Sequence, residues 1–297
     1  AQRHVIDMPT FLDEDAYELE RFMRAFAEDR GLAPVTFNST LHRGLPALEV
    51  KFESASTFNS KNRNAVYALF VLQAQSYIAL STNDGSEQGR RNWFSSLSIA
   101  NPTFSSFSEY TNEELFFTTK LPYTPVNLPP SLDAMMLMGD VESSNDTPFG
   151  TNGSLLLRSP GDAVSVQVDF QRFHQYSDGE SKESFYREKR DLISGIDMHV
   201  ISEKSIWTND GARFEFIVGD TATTRRFLHS MVLHNKAFYH LSTCYDSILG
   251  LSDFARMAFD HFQSTDTIFP YPHFISRDDA YLDDLTSADE RNRQRAL

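Results

Sequence analysis

Residues 67–82 read YALFVLQAQSYIALST, and residues 228–243 read LHSMVLHNKAFYHLST. Laid side by side without a gap, both give Val-Leu, four residues, an aromatic, two residues, then Leu-Ser-Thr. Side chains alternate between faces along a strand, so a shared pattern without insertion fixes which residues share a face. Each stretch reads as two strands joined by a short turn. With Asn235-Lys236 as the turn, Met231 falls opposite His240 and His229 opposite Ser242. A one-residue slip would send His229 and His240 to different faces.

The neighbours of the two stretches run in a similar order. Tyr17, Leu19, Phe22, Met23 and Phe26 have helical spacing from Asp15 to Glu28, with Gly31 after the end. Leu48–Phe52 alternates as a strand, Asn59–Asn64 reads as a turn, and Ala65–Leu72 and Ser76–Thr82 are the hairpin. A helix over Gln88–Leu97 closes this series, and the Ser-, Thr- and Asn-rich residues 100–114 read as a linker. The second series opens with extended Phe116–Tyr123. Pro122, Pro125, Pro129 and Pro130 then confine the chain to loop or sheet edge. Strands over Ser154–Leu157 and Ala163–Phe170 follow, then a helix over Glu183–Ile193 stopped at Gly195. Met198–Trp207 and Ala212–Val218 flank an Asn209-Asp-Gly turn. After the second hairpin comes a helix over Ser252–Phe262.

These elements predict an α+β chain of two tandem antiparallel-sheet units with packed helices, the first of them incomplete. Residues 1–110 form the first unit with its linker, 111–275 the complete second unit, and 276–297 a charged tail or connector.

A chain of 297 residues with 25 Phe and 11 Tyr can fill a substantial core. Acidic residues exceed basic ones by 41 to 27, and the net charge of −14 repels phosphate backbones and anionic membrane surfaces. Nucleic acid is therefore not an expected partner. No apolar run reaches the length of a membrane-crossing helix. The single cysteine, Cys244, excludes an internal disulfide framework without fixing the compartment. A periplasmic or extracellular place, in a larger bacterial protein, is the expectation.

The second series, with Phe214-x-Phe216, Phe227…Leu233, Phe238-Tyr239-x-Leu241 and Phe259-x-x-Phe262, resembles the PsbP-like fold in its element order. That family includes a photosystem II extrinsic subunit, a Ran-binding nuclear-transport factor and secreted bacterial lipoproteins. The resemblance covers about residues 116–265, more loosely 13–99, and implies an adaptor, assembly factor or ligand binder. A cystatin-like or nuclear-transport-factor-like sheet is the competing fold.

Phosphate loops, His-Glu-x-x-His, Gly-x-Ser-x-Gly, Cys-x-x-Cys and calcium loops are absent. No catalytic residue and no cofactor are assigned. His229, His240 and Cys244 would share one sheet face, and imidazole with thiolate suits zinc or copper. Phe227, Met231 and Phe238 share that face too, which favours a core, and the first hairpin carries Ala68 and Ala79 at the two histidine positions. Asp278-Asp279, Asp283-Asp284 and Asp289-Glu290 lack the alternation of a calcium loop and read as a solvated helix face. Met135, Met136 and Met138 read as a short buried helix. The leading function is a non-catalytic protein-binding or assembly module. A carrier holding a small apolar molecule or lipid between sheet and helices, and an unrecognised hydrolase, are the alternatives.

Overall fold

In the computed structural model, the residues described are 2–5, 15–54, 65–124, 126–128, 152–159, 164–177, 181–194, 198–220 and 223–296. The first series comprises β1 (Gln2–Val5), α1 (Asp15–Asp29), β2 (Leu32–His42), β3 (Leu45–Ser54), β4 (Val66–Gln73), β5 (Ser76–Thr82) and α2 (Glu87–Ser95). Next come β6 (Ser108–Asn112), β7 (Phe117–Leu121), β8 (Val126–Leu128), β9 (Asn152–Arg158) and β10 (Ser165–Arg172). Then follow α3 (Lys182–Ile193), β11 (His199–Trp207), β12 (Gly211–Gly219), β13 (Arg225–His234) and β14 (Ala237–Asp246). The chain continues through α4 (Asp253–Asp260), β15 (Gln263–Ser264), α5 (Asp278–Thr286) and α6 (Glu290–Ala296). The expected turn at Asn59–Asn64, Pro125, Pro129, Pro130, the methionine run and Gly195 lie outside the described residues.

The two quoted stretches are hairpins in the same register. Phe70 pairs with Ala79 in one and Met231 with His240 in the other. Both turns place their first central residue in the left-handed region, Ala74 at φ 39° and Asn235 at φ 52°. Asparagine tolerates that conformation and alanine does not, so packing of the buried Ala74 must hold its turn.

The strands around the hairpins follow one plan. The first sheet runs β1-β5-β4-β3-β2, and the second β8-β9-β10-β14-β13-β12-β11. β1 pairs antiparallel with β5 as β10 pairs with β14. The first sheet thus has its own opening strand, and it is β8 and β9 that have no counterpart there. In each sheet the helix after that strand covers one face. α1 lays Leu19, Phe22, Met23 and Phe26 on Leu48, Val50, Phe52, Phe70 and Leu72, while α3 lays Phe185 and Ile193 on Phe214, Phe216, Met231 and Leu233. The helix after the hairpin covers the opposite face, through Phe94 of α2 and Phe254, Ala258 and Phe259 of α4. Phe70 and Met231 are fully buried, and each stabilises the fold by about 1.5–3 kcal/mol through burial.

Serine caps start α2, α3 and α4. Ser86, Ser181 and Ser252 accept the amides of Gly89, Ser184 and Ala255, which would otherwise lack intrahelical partners. The expected linker at 100–114 contains β6, which joins β7 and β15 in a three-stranded sheet. Its side chains are mostly solvent-facing, so it carries no apolar alternation to betray a strand. The tail folds as two short helices, and Tyr176 donates to Asp284 of α5.

A buried polar seam joins the two sheets. Gln75, at the tip of the first hairpin, donates to Ser165 O, Thr243 Oγ1 and Cys244 O and accepts from Ser165 N. Arg225, fully buried, pairs with Asp15 at 3.2 Å and Glu18 at 2.9 Å on α1. Lys236, which takes the place of Gln75 in the second hairpin, is equally buried but donates to Ser177 O and His273 O. Each hairpin tip is therefore plugged into the chain that follows it.

Candidate functional site

Two places merit construction as a site: the histidine face of the second hairpin and the outer strand of the first sheet. The pairing registers set Ser154, Asp169 and His240 in one row across β9, β10 and β14. Ser154 Oγ donates to Asp169 Oδ1 at 2.6 Å, and Gln167 Nε2 donates to both carboxylate oxygens at 2.9 and 3.1 Å. Asp169 Oδ2 lies 3.8 Å from His240 Nδ1. His240 Nε2 and His229 Nδ1 are 2.9 Å apart and share a hydrogen bond, with the rings stacked at 5.1 Å.

Burial, then the neighbouring His240, holds His229 well below the usual histidine range. Burial also lowers His240; the Asp169 carboxylate opposes this and the Lys189 ammonium of α3 adds to it. Both rings are therefore neutral at pH 7, one donating and one accepting, as a single shared hydrogen bond requires. The serine hydroxyl in this row is bonded to a carboxylate and not to an imidazole. The row thus lacks the nucleophile–base contact that acyl transfer needs. Cys244 is on the same face, but it pairs with Phe227 in the register and packs with Ala74 at the seam. Burial pushes its thiol up to about 12, so it is protonated at neutral pH. Among the described residues no group of three or more His, Cys, Asp or Glu is placed to hold a metal ion.

The cavity beneath the seam, bounded by Gln75, Asn101, Cys244 and Asp246, is about 20 Å³, the space of one water molecule. No described helix is long and apolar enough to cross a membrane.

β2 is the second place, and the sequence reading assigned it no element. The signal was present as a two-residue period, Val35, Phe37 and Leu41, hidden by Pro34 and a bulge between Pro34 and Thr36. Among the described residues no strand pairs with its outer side. Val35, Phe37 and Leu41 are 49%, 51% and 69% exposed. Apart from His42, the strand carries no ionisable side chain over its eleven residues. Phe37 and Leu41 stand opposite Val50 and Pro46 in the register, on the α1 face of the sheet. On the other face Thr36 and Asn38 stand opposite Lys51 and Glu49. There an open groove of about 400 Å³ runs between β2 and α2, walled by Tyr67, Arg90 and Phe94. The Arg90 guanidinium stacks 4.1 Å from the Tyr67 ring.

No family model matches the chain, and no curated protein matches it. Among solved structures, cyanobacterial PsbP from Synechocystis sp. PCC 6803 is 10% identical, covers 56% of this chain and 97% of its own, and has a TM-score of 0.35. The immunity protein TplEi of the type VI secretion system of Pseudomonas aeruginosa, solved with "L" peptide, is 9% identical over 89% of this chain and 91% of its own, at a TM-score of 0.22. Each is a weak likeness, and nothing of either protein's role is carried over from a likeness of that size.

Proposed function

We propose that this chain is a non-catalytic protein-binding or assembly module that engages its partner along the outer edge of β2. We further propose that residues 1–110 and 111–275 are two versions of one unit, with 276–297 as a connector that closes the second. The observation that carries the binding reading is the edge of β2 itself: eleven residues without a lysine, arginine or carboxylate, with three large apolar side chains exposed. A sheet edge offers unpaired N–H and C=O groups to any extended chain, and folded proteins ordinarily guard such edges with charge, proline or a bulge. β2 has its Pro34 and bulge at one end only, and among the described residues nothing pairs with Phe37–His42 on the outer side, the edge that strand addition uses.

The equivalent edge of the second sheet supports this reading by contrast. β11 also has exposed apolar residues, Ile201 and Ile206, and a bulge. It adds Glu203, held by Arg190 of α3 at 2.8 Å, and Lys204, 3.9 Å from Glu215. The same position in the plan is charged in one sheet and bare in the other.

Selection of displayed extended peptides on the wild-type chain, counter-selected on a Phe37→Lys/Leu41→Glu double variant, tests the reading. Enrichment on the wild type alone is expected. Equal enrichment on both chains, or none on either, removes it.

A further inference from the structure

β2 repeats its own pattern about its midpoint. Beyond the bulge, its register with β3 is unbroken from Thr36 to His42, and Ser39 is the centre of that run. Read in either direction, the order is polar, apolar, polar, serine, polar, apolar, polar. An antiparallel strand of the same sequence, turned about a two-fold axis at Ser39, therefore meets like with like. On the α1 face, Phe37 falls opposite the partner's Leu41, and Leu41 opposite the partner's Phe37. On the groove face, Asn38 falls opposite the partner's Thr40 and Thr36 opposite the partner's His42. The pairing covers from water two apolar side chains that are 51% and 69% exposed on the single chain.

Charge points to the same occupant. The charges behind the strand cancel, since Lys51 is bridged by Glu53 at 3.0 Å and Arg90 shares the groove with Glu49. Such an edge favours neither an acidic nor a basic strand and suits one without charge. β2 is itself such a strand, with no lysine, arginine or carboxylate. In the two-fold register the row of Lys51 ends at the partner's Leu45 and that of Glu49 at the partner's Ala47. No like charges then meet across the junction. Pairing with β11 of a copy would instead bring Glu203 and Lys204 to it, and would leave an edge on each copy free to add the next.

Resting on the edge-binding reading above, we infer that the partner of β2 is β2 of a second copy of this chain, joined antiparallel about Ser39 so that the two first sheets become one. A contact one strand wide and about 23 Å long is small beside the roughly 1,200 Å² that stable complexes bury. The pair is therefore a weak one whose population grows with concentration.

Sedimentation velocity of the full chain over a range of concentrations tests this. The wild type is expected to pass from monomer to dimer and no further. Phe37→Lys/Leu41→Lys sets lysine opposite lysine in this register, and Phe37→Glu/Leu41→Glu sets glutamate opposite glutamate. Each variant alone should self-associate at least roughly tenfold more weakly than the wild type. Mixed in equal amounts, the two should form a one-to-one dimer, which also shows that both are folded. A mixture that stays monomeric overturns the register about Ser39. A dimer that survives in each variant alone, or species larger than a dimer, assigns the association to another surface and overturns the inference. If the wild type stays monomeric while extended peptides are still enriched on it, self-pairing is wrong and the edge reading stands. If it neither dimerises nor enriches peptides, both fall.

Discussion

The first and second hairpins share a register and a turn conformation, yet they are stabilised by different means. The first presents Ala68, Phe70, Leu72 and Ala79 to α1, an apolar set. The second has His229 and His240 where the first has alanines, and it extends that polar pair into a row ending at Ser154. The tips diverge as well: Gln75 binds the next sheet and Lys236 binds the segments around Ser177 and His273. The lesson is that the hairpin geometry is set by pattern and turn, and its chemistry is free to vary. Positions where the two differ are therefore the places where the two sheets can be told apart by mutation.

The largest test of this comparison is to break the seam that makes two similar sheets one molecule. Arg225→Ala leaves Glu18, buried in α1, without its principal cation. Removing one partner of a buried pair costs about 3–5 kcal/mol, and calorimetry should show one unfolding transition separating into two. Retention of a single transition with unchanged midpoint would mean the seam carries no stability. Gln75→Ala acts on the same seam from the first hairpin. It strands the amide of Ser165 and the carbonyl of Cys244, at about 2–3 kcal/mol for the groups left unpaired. A denaturant midpoint shift smaller than that of Arg225→Ala, but in the same direction, is expected.

Much of the plan was legible in the sequence because it rests on period and punctuation. The helix of Leu19, Phe22, Met23 and Phe26, the hairpin registers, and the Asn209-Asp-Gly turn all follow from side-chain spacing. The pairing of His229 with Ser242 follows from a two-residue turn. What spacing could not supply was pairing between distant segments. Asp169 joins His240 only because β10 lies beside β14, and Arg225 meets Glu18 only because the second sheet docks on α1. β2 was missed for a local reason, since Pro34 and the Asn38-Ser39-Thr40 run mask a strand whose apolar residues are few and outward-facing. Its exposure, the property that matters for function, is invisible until the order of the sheet is known.

The histidine row supplies the next test, through pH. His229 and His240 have folded pKa values below the unfolded value, which is about 6.5. Below that pH the unfolded chain binds more protons than the folded one, so stability falls as pH drops. Each histidine that titrates only in the unfolded chain contributes a slope of about 1.4 kcal/mol per pH unit. A His229→Ala/His240→Ala variant, which gives the second hairpin the residues of the first, should show a shallower loss of stability between pH 6.5 and 5. His174, also lowered, chiefly by burial, leaves a residual slope. Identical pH profiles for variant and wild type would show that the pair takes up protons as readily in the fold as in the unfolded chain.

The smallest effect on stability, and the sharpest on function, comes from exchanging the two edges. Phe37→Lys lies on an exposed strand and should change the unfolding free energy by no more than about 0.5 kcal/mol, while abolishing capture of extended peptides. The reciprocal change, Glu203→Thr with Lys204→Thr, removes from β11 the charges that separate it from β2. If charge is what guards that edge, this variant gains a second peptide site, read as a doubling of binding stoichiometry by titration calorimetry. An unchanged stoichiometry would assign the guarding of β11 to α3, whose Tyr186 packs on Phe214 and Phe216 close beside it. In that case the difference between the sheets lies in how far each covering helix reaches, and the openness of β2 is set by the placement of α1 and not by the composition of the strand.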